Sequence, residues 1–250
     1  MSTSPKSEEE IAIMREAGRK LAVILDKLEQ MVKPGAKPTD ISAAAREAIR
    51  KAGMQPVVLG YEGFPDVMCV SVNDVIVHGV PSSKPLSGAD VVKLDLTLGY
   101  KSLIVDSART LIVGENKSKD TQRLVGGTKK ALEAGISAIK GGGTRVGDIS
   151  AAVQNVLDKH HLATIRDLVG HGIGYKIHED PNIPNYGVAG TGPVLQAGMT
   201  ICIEPMASLG DWPVDIQKDG TVAMRDGSLG AHFEHTVLIT SNGAEILTQA

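Results

Sequence analysis

Apolar residues recur with a helical period at the start of the chain: Ile11, Met14, Leu21, Ile24, Leu25, Leu28 and Met31 share one face. Ser7 stands ahead of them with Glu10 three residues on, a capping-box pair, and Pro34-Gly35 ends the run. A second helix is predicted from Thr39-Asp40 to Gly53. The period then changes to two, with β-rich runs over 56–59, 68–72, 90–98 and 103–113. Helical spacing returns over 118–139 and 147–160. The last third reads as a Gly/Pro/Asn-rich loop over 180–193 and as strands over 199–203, 221–224 and 231–240. Helix pairs followed by strand-rich stretches predict a mixed α/β (α+β) fold.

The pattern repeats. Gly35-Ala-Lys-Pro-Thr-Asp-Ile-Ser-Ala-Ala matches Gly143-Thr-Arg-Val-Gly-Asp-Ile-Ser-Ala-Ala, with Asp40 and Asp148 in register 108 positions apart. Two helix starts could converge on a capping Asp followed by small helix formers. Five consecutive identities at the same place in the pattern favour kinship. The period is too long for a solenoid, so the expectation is one domain over 1–250, built of related halves near 1–115 and 116–250. A site shared by two halves belongs at their interface.

Composition narrows the class. The chain has 250 residues, 26 Lys+Arg against 29 Asp+Glu, and a formal charge of −3, with no long basic block to attract nucleic acid or an anionic membrane. Two cysteines, Cys69 and Cys202, make no disulfide framework and suit a reducing cytoplasm. The polar first ten residues lack a signal-peptide apolar region, and the run from Leu21 to Leu25 is far too short to cross a bilayer. Only seven aromatics are present.

The polar minority carries the chemistry. In the run 90–98, Val92, Leu94, Leu96 and Leu98 form one face, while Lys93, Asp95 and Thr97 share the other. A turn centred on Tyr100-Lys101 would set Asp95 directly opposite Asp106, about 5 Å apart, where like charges destabilise a sheet. A divalent cation or a shared proton between them would explain the pair; so would a shifted register on a solvated face. His171 lies in Gly-His-Gly-Ile-Gly, where glycines let backbone approach closely. His178 follows in Ile-His-Glu-Asp-Pro, and Glu204 ends an apolar run before Pro205. Glu234 falls inside a run that should be buried, where an ionised carboxylate is costly unless paired or metal-bound. Four carboxylates with one imidazole suit Mn, Fe or Co better than a structural zinc. His78 marks another strand-to-turn junction.

In this order, Asp95, Asp106, His171 in Gly-His-Gly-Ile-Gly, Glu204 in Ile-Glu-Pro-Met and Glu234 in Glu-His-Thr resemble the five metal ligands of type I methionine aminopeptidases, of peptidase family M24. The resemblance runs over essentially the whole chain, through Cys69-Val-Ser-Val-Asn-Asp and His78-Gly-Val-Pro81. It implies the pita-bread fold, two pseudo-symmetric halves around a dinuclear site, in the short bacterial form without a zinc-binding N-terminal extension. It further implies that Asp106 and Glu234 bridge two divalent ions (Mn, Fe or Co, with Zn admissible), that Asp95 chelates one, and that His171 and Glu204 hold the other. By the same resemblance Glu204 moves the proton, His178 and His78 contact the scissile carbonyl and amide, and Tyr61, Phe64, Cys69, Ile177 and Phe233 line the methionine pocket. The implied activity is removal of N-terminal methionine ahead of a small second residue. Its partners are nascent polypeptides, met near the ribosome in the cytoplasm. Neither nucleic acid nor membrane is required, and a monomer suffices.

The pocket departs from the family pattern. Ile177 stands where an aromatic is common, Phe64 where Tyr is common, Val58 where Cys is common, and His232 where Gln is usual. No aromatic falls within 220–225, and Trp212 lies too early to replace one. Each missing aromatic contact alters fit by about 1–3 kcal/mol, which changes preference but not the reaction. Alternatives within the fold are an X-Pro dipeptidase or aminopeptidase P relative, which would carry an extra N-terminal domain, and a metal-free binding protein or creatine-type hydrolase, which would lack ligands present here.

Overall fold

Helix α1 (Glu8–Glu29) forms where the apolar period predicts it, and its start carries the Ser7–Glu10 capping box. Glu10 Oε2 accepts from the Ser7 amide at 2.7 Å, and Ser7 Oγ accepts from the Glu10 amide. The computed structural model describes residues 4–115 and 118–250. Helix α2 (Pro38–Lys51) starts one residue before Thr39: Lys37 takes the extended N-cap position and Pro38 the first turn, where a missing N–H costs nothing. It also ends at Lys51, short of Gly53. Helices α3 (Lys119–Ser137) and α4 (Val146–Lys159) complete the helices among the described residues.

Each helix pair covers a sheet. Leu21, Leu25, Leu28, Ile41 and Ile49 pack with Leu94, Leu96, Leu98 and Val105 in one buried cluster. Leu124, Leu132, Ile149 and Val153 pack with Ile201, Ile203, Val237 and Ile239 in another. The repeat in the sequence has a local counterpart. Lys37 and Arg145 both hold extended N-cap backbone, Asp40 and Asp148 both lie in the first helical turn, and Gly35 and Gly143 both take positive φ. The boundary expected at 115/116 abuts residues 116–117, which lie outside the described residues.

The first sheet is built on the strand Val91–Tyr100, which pairs with Gln55–Pro56, Cys69–Val72 and Leu103–Ile112. The second has the order 244–246, 235–239, 200–203, 169–172, 179–184. Three stretches differ from the pattern reading. Only Gln55–Pro56 pairs at the first β-rich run, before a short 3-10 turn at Tyr61–Gly63. Glu179–Pro184 is a strand, not loop; it forms the sheet edge, where Pro181 and Pro184 are tolerated. The run 231–240 breaks into Gly230–His232 and His235–Ile239, in two different sheets.

The C-terminal segment closes over α1. Gly18 faces the Leu247 carbonyl so closely that a Cβ there would collide with backbone. Gly18→Ala should therefore destabilise the fold by about 1–3 kcal/mol, read as a lower urea midpoint. An unchanged midpoint would mean that the C-terminal segment shifts at no cost.

Candidate metal centre

The hairpin Val91–Tyr100/Leu103–Ile112 delivers two carboxylates to the space between the sheets. Its loop is the two residues Lys101-Ser102, both at positive φ, with Tyr100 paired to Leu103. This corrects the register expected from a turn at Tyr100-Lys101. Asp106 faces Thr97, and Asp95 faces Ala108, so the two aspartates are diagonal neighbours on one face. Lys-Ser carries no Asn-Gly signal for such a turn, and the adjacent Gly99 misplaces it. Nor is the face solvated. Lys93, Thr97 and Asp106 are all buried, and Lys93 Nζ donates to the Asn73 and Gly230 carbonyls at 2.7 and 3.2 Å.

The break in the run 231–240 positions Glu234. Between the two short strands, its amide donates to the Ala108 carbonyl at 2.9 Å, and its carbonyl accepts from Ser107 Oγ at 2.7 Å. One residue pair on, Asp106 N donates to Thr236 Oγ1, which returns a bond to Asp106 O, each at 2.8 Å. The segment 234–236 is thus stitched to the hairpin at the acidic residues. One oxygen from each of Asp95, Asp106 and Glu234 falls within a common 4.8 Å.

His171 enters from the strand Val169–Gly172, directly opposite Cys202 on Thr200–Ile203. Gly170 is required beside it, because a Cβ there would strike the Cys202 carbonyl oxygen. His171 Nδ1 bonds the Gly172 carbonyl at 3.0 Å. A carbonyl only accepts, so Nδ1 carries the proton and Nε2 is the free lone pair. That Nε2 is 3.5 Å from Glu204 Oε1, at the end of the strand Thr200–Ile203. His171, Cys202 and Glu234 form a second group within 4.8 Å.

The electrostatics describe a site that needs positive charge. Burial drives the Asp95 carboxyl well above the usual range, and the neighbouring Asp106 drives it further. Burial also pushes Asp106 up to about 7, against the bond from Thr97 Oγ1 to Oδ2. Glu204 and Glu234 are raised well above ordinary values, first by burial and then by each other's or the aspartates' charge. His171 is lowered to about 4, mainly by burial and then by His178, so it is neutral at pH 7. Asp106 Oδ1 and Glu234 Oε1 are buried without a hydrogen-bond partner among the described residues. Four carboxylates, one neutral imidazole and two orphaned oxygens fit divalent cations.

A cavity of 460 Å³ opens onto these groups. Asp95, Asp106, His171, Glu204 and Glu234 all line it, as do His78, His178, Tyr61, Phe64, Cys69 and Ile177. His178 packs edge-on to His171 at 4.6 Å, and its Nδ1 lies 3.4 Å from the Tyr61 hydroxyl. His78 follows the strand Val75–Val77 at positive φ, with a pKa lowered by burial and then by His178. Phe233 does not belong to this set. It sits in the second hydrophobic cluster, because position 233 faces away from the cavity where 232 and 234 face in. His232, which the motif reading did not place among the site residues, does line the cavity; its Nε2 is 3.5 Å from Glu204 Oε2. The signal available was its spacing, two residues before Glu234.

Known proteins resemble the chain over nearly its whole length. The model of metallopeptidase family M24 matches residues 12–241. The methionine aminopeptidase of Mycoplasma capricolum is 43% identical over 245 residues, covering 98% of this chain and 97% of that protein. Methionine aminopeptidase 1 of Bacillus subtilis is 40% identical over 98% of both chains. The crystal structure of the Thermotoga maritima methionine aminopeptidase superposes with a TM-score of 0.96 at 44% identity, covering 99% of this chain and 100% of that one. A Pyrococcus furiosus prolidase shares the fold at a TM-score of 0.78 and 24% identity, with 98% of this chain matching 65% of the prolidase.

Proposed function

The chain belongs to metallopeptidase family M24, and on that premise we propose how its residues divide the work of removing N-terminal methionine from polypeptides. It is a pita-bread metallo-aminopeptidase. The observation that carries the reading is the cluster of Asp95, Asp106, His171, Glu204 and Glu234 around one cavity, three of them buried and Asp95 and Glu204 half-buried, with its orphaned Asp106 and Glu234 oxygens. We read Asp106 and Glu234 as the carboxylates that would serve both of two divalent cations, with Asp95 helping to hold one and His171 with Glu204 the other. Mn²⁺, Fe²⁺ or Co²⁺ suits this oxygen-rich set, with Zn²⁺ admissible. Divalent cations held there would polarise the attacked carbonyl and make water nucleophilic at neutral pH.

The remaining steps belong to the chain. Glu204 accepts a proton from the attacking water and passes it to the departing amine. His178 donates to the scissile carbonyl oxygen. The Tyr61 hydroxyl, 3.4 Å from its Nδ1, can donate to that atom and so accommodates the tautomer protonated at Nε2, which that donation needs. His78 contacts the scissile amide nitrogen from its turn. Tyr61, Phe64, Cys69 and Ile177 wall the methionine side chain. The acidic inner end of the cavity draws in a free α-amine, so the terminal bond is the one presented. A small second residue, nascent chains in the cytoplasm and a monomer complete the reading; all five ligands come from one chain. We also read 1–250 as one catalytic domain of two related halves.

The X-Pro reading is not favoured: likeness to a prolidase is confined to the fold, while methionine aminopeptidases match at 40% identity and more. A metal-free binding protein is likewise disfavoured by a complete donor set. The test is direct. Purified protein with Mn²⁺ or Co²⁺ should release Met from Met-Ala-Ser and leave Ala-Pro and Met-Pro nearly untouched. Faster cleavage of the X-Pro peptides, or no metal-dependent release of Met, would overturn the assignment.

A further inference from the structure

One buried histidine at the centre has no place in that division of work. His232 is only 2% exposed, lines the cavity, and has neither Nδ1 nor Nε2 hydrogen-bonded among the described residues. Its backbone is fixed from several sides. It pairs with Met206 across two short strands, its amide donates to Thr110 Oγ1 at 2.9 Å, and its carbonyl accepts the Thr110 hydroxyl proton. The next amide, of Phe233, donates to the Pro205 carbonyl at 3.3 Å, one residue from Glu204. The backbone around the ring is therefore held in place, and the ring faces Glu204. Nε2 stands 3.5 Å from Oε2, while the other oxygen, Oε1, stands 3.5 Å from His171 Nε2.

Two roles are open to such a ring, and the partners of Nδ1 separate them. A metal-ligating histidine nearly always donates its second ring N–H to a carbonyl, a carboxylate or water. His171 meets that requirement through the Gly172 carbonyl. His232 does not: as a ligand through Nε2 it would leave a buried Nδ1–H without a protein acceptor among the described residues. The other tautomer leaves Nδ1 as a bare acceptor and turns Nε2–H toward an acceptor oxygen. Catalytic hydrogen bonds that are long before loading shorten when the site closes on its substrate.

We propose that His232 is a positioning residue, whose Nε2–H holds Glu204 Oε2 and so keeps Oε1 on the His171 side of the cavity. The role rests on Glu204 as the proton carrier. A carboxylate at the end of a strand can rotate between orientations, and a donor on one oxygen selects the orientation in which the other receives the proton. His232 acts through Glu204 and binds no cation itself.

Long-range ¹H–¹⁵N NMR of histidine-labelled protein reads the tautomer without turnover. The signal is assigned by its loss in His232→Gln and recorded metal-free and with Zn²⁺. Nε2 should be protonated in both states; a bare Nε2, or loss of its proton on zinc addition, would overturn the proposal. In kinetics, His232→Leu should lower kcat about 10- to 100-fold, with KM and bound-cation number unchanged. His232→Gln, whose amide N–H has similar reach, should recover most of that loss. A leucine variant that equals wild type, or that loses a cation, would contradict it. Glu204→Gln separates the two readings: an active variant removes Glu204 as proton carrier and with it the role of His232, whereas the tautomer reports the hydrogen bond alone.

Discussion

Asp106→Asn should yield a folded protein that no longer retains its divalent cations and releases methionine more than about 100-fold more slowly than wild type. The floor is set by what changes outside the coordination shell already cost. The substitution is nearly isosteric, so Thr97 Oγ1 keeps its 2.8 Å partner at the same place, and the two Thr236 bonds to the Asp106 backbone are untouched. What disappears is the negative charge and the second acceptor oxygen. Oδ1 is the atom left without a hydrogen bond, and it lies with Asp95 and Glu234 oxygens inside a common 4.8 Å. Asp95 is fixed by its own strand and Glu234 by its backbone bond to Ala108, so neither is free to take the place of Asp106. Metal content after dialysis and Met release from Met-Ala-Ser measure the two effects separately. Retained turnover in the Asp106→Asn variant would show that the cations are held without this carboxylate.

That one residue carries so much explains what the sequence could and could not reveal. Asp95 and Asp106 were legible as a pair because both fall on the polar face of a predicted hairpin. Their exact apposition was not, since a two-residue loop at Lys101-Ser102 moves the register by two positions and makes them diagonal. Period-two patterning preserves the face under such a shift, so the chemistry survived an error in geometry. Glu234 followed the opposite course. The apolar run predicts a mid-strand carboxylate, yet Glu234 sits at the break where the chain leaves one sheet for another. Bonds to Ala108 and Ser107 hold it at that break, and a bond such as that from Ser107, between residues 127 positions apart, leaves no local signal. The helices were easier, because caps and apolar stripes are local; Pro38 merely moved one start. Phe233 and His232 show the limit most plainly: adjacent residues exchange core and cavity by which way each side chain points.

Without cations, Asp106→Asn should be more stable than wild type, by a margin that grows as pH rises from about 4 to about 7. Burial moves the Asp106 carboxyl from 3.8 to about 7 in the folded protein. A carboxyl raised above its unfolded value favours folding fully below the unfolded pKa, and that contribution is lost as pH rises through the folded one. The amide that replaces it does not titrate, so the difference between the two proteins isolates the term. Its size at neutral pH is on the order of a few kcal/mol. Asp95 adds in the same direction, because the Asp106 charge is the second cause of its own elevation. The buried imidazoles run oppositely. His171 and His232, lowered by burial to about 4 and about 3, favour folding above their unfolded value of 6.5 and lose that contribution as pH falls. They are common to both proteins and largely cancel in the comparison. Urea midpoints in a chelator, taken across this window, measure the margin. Saturating Mn²⁺ should reverse its sign at neutral pH, because cations bind the folded wild type and stabilise it by mass action. A margin independent of pH would mean that the cluster's proton resides on another carboxylate.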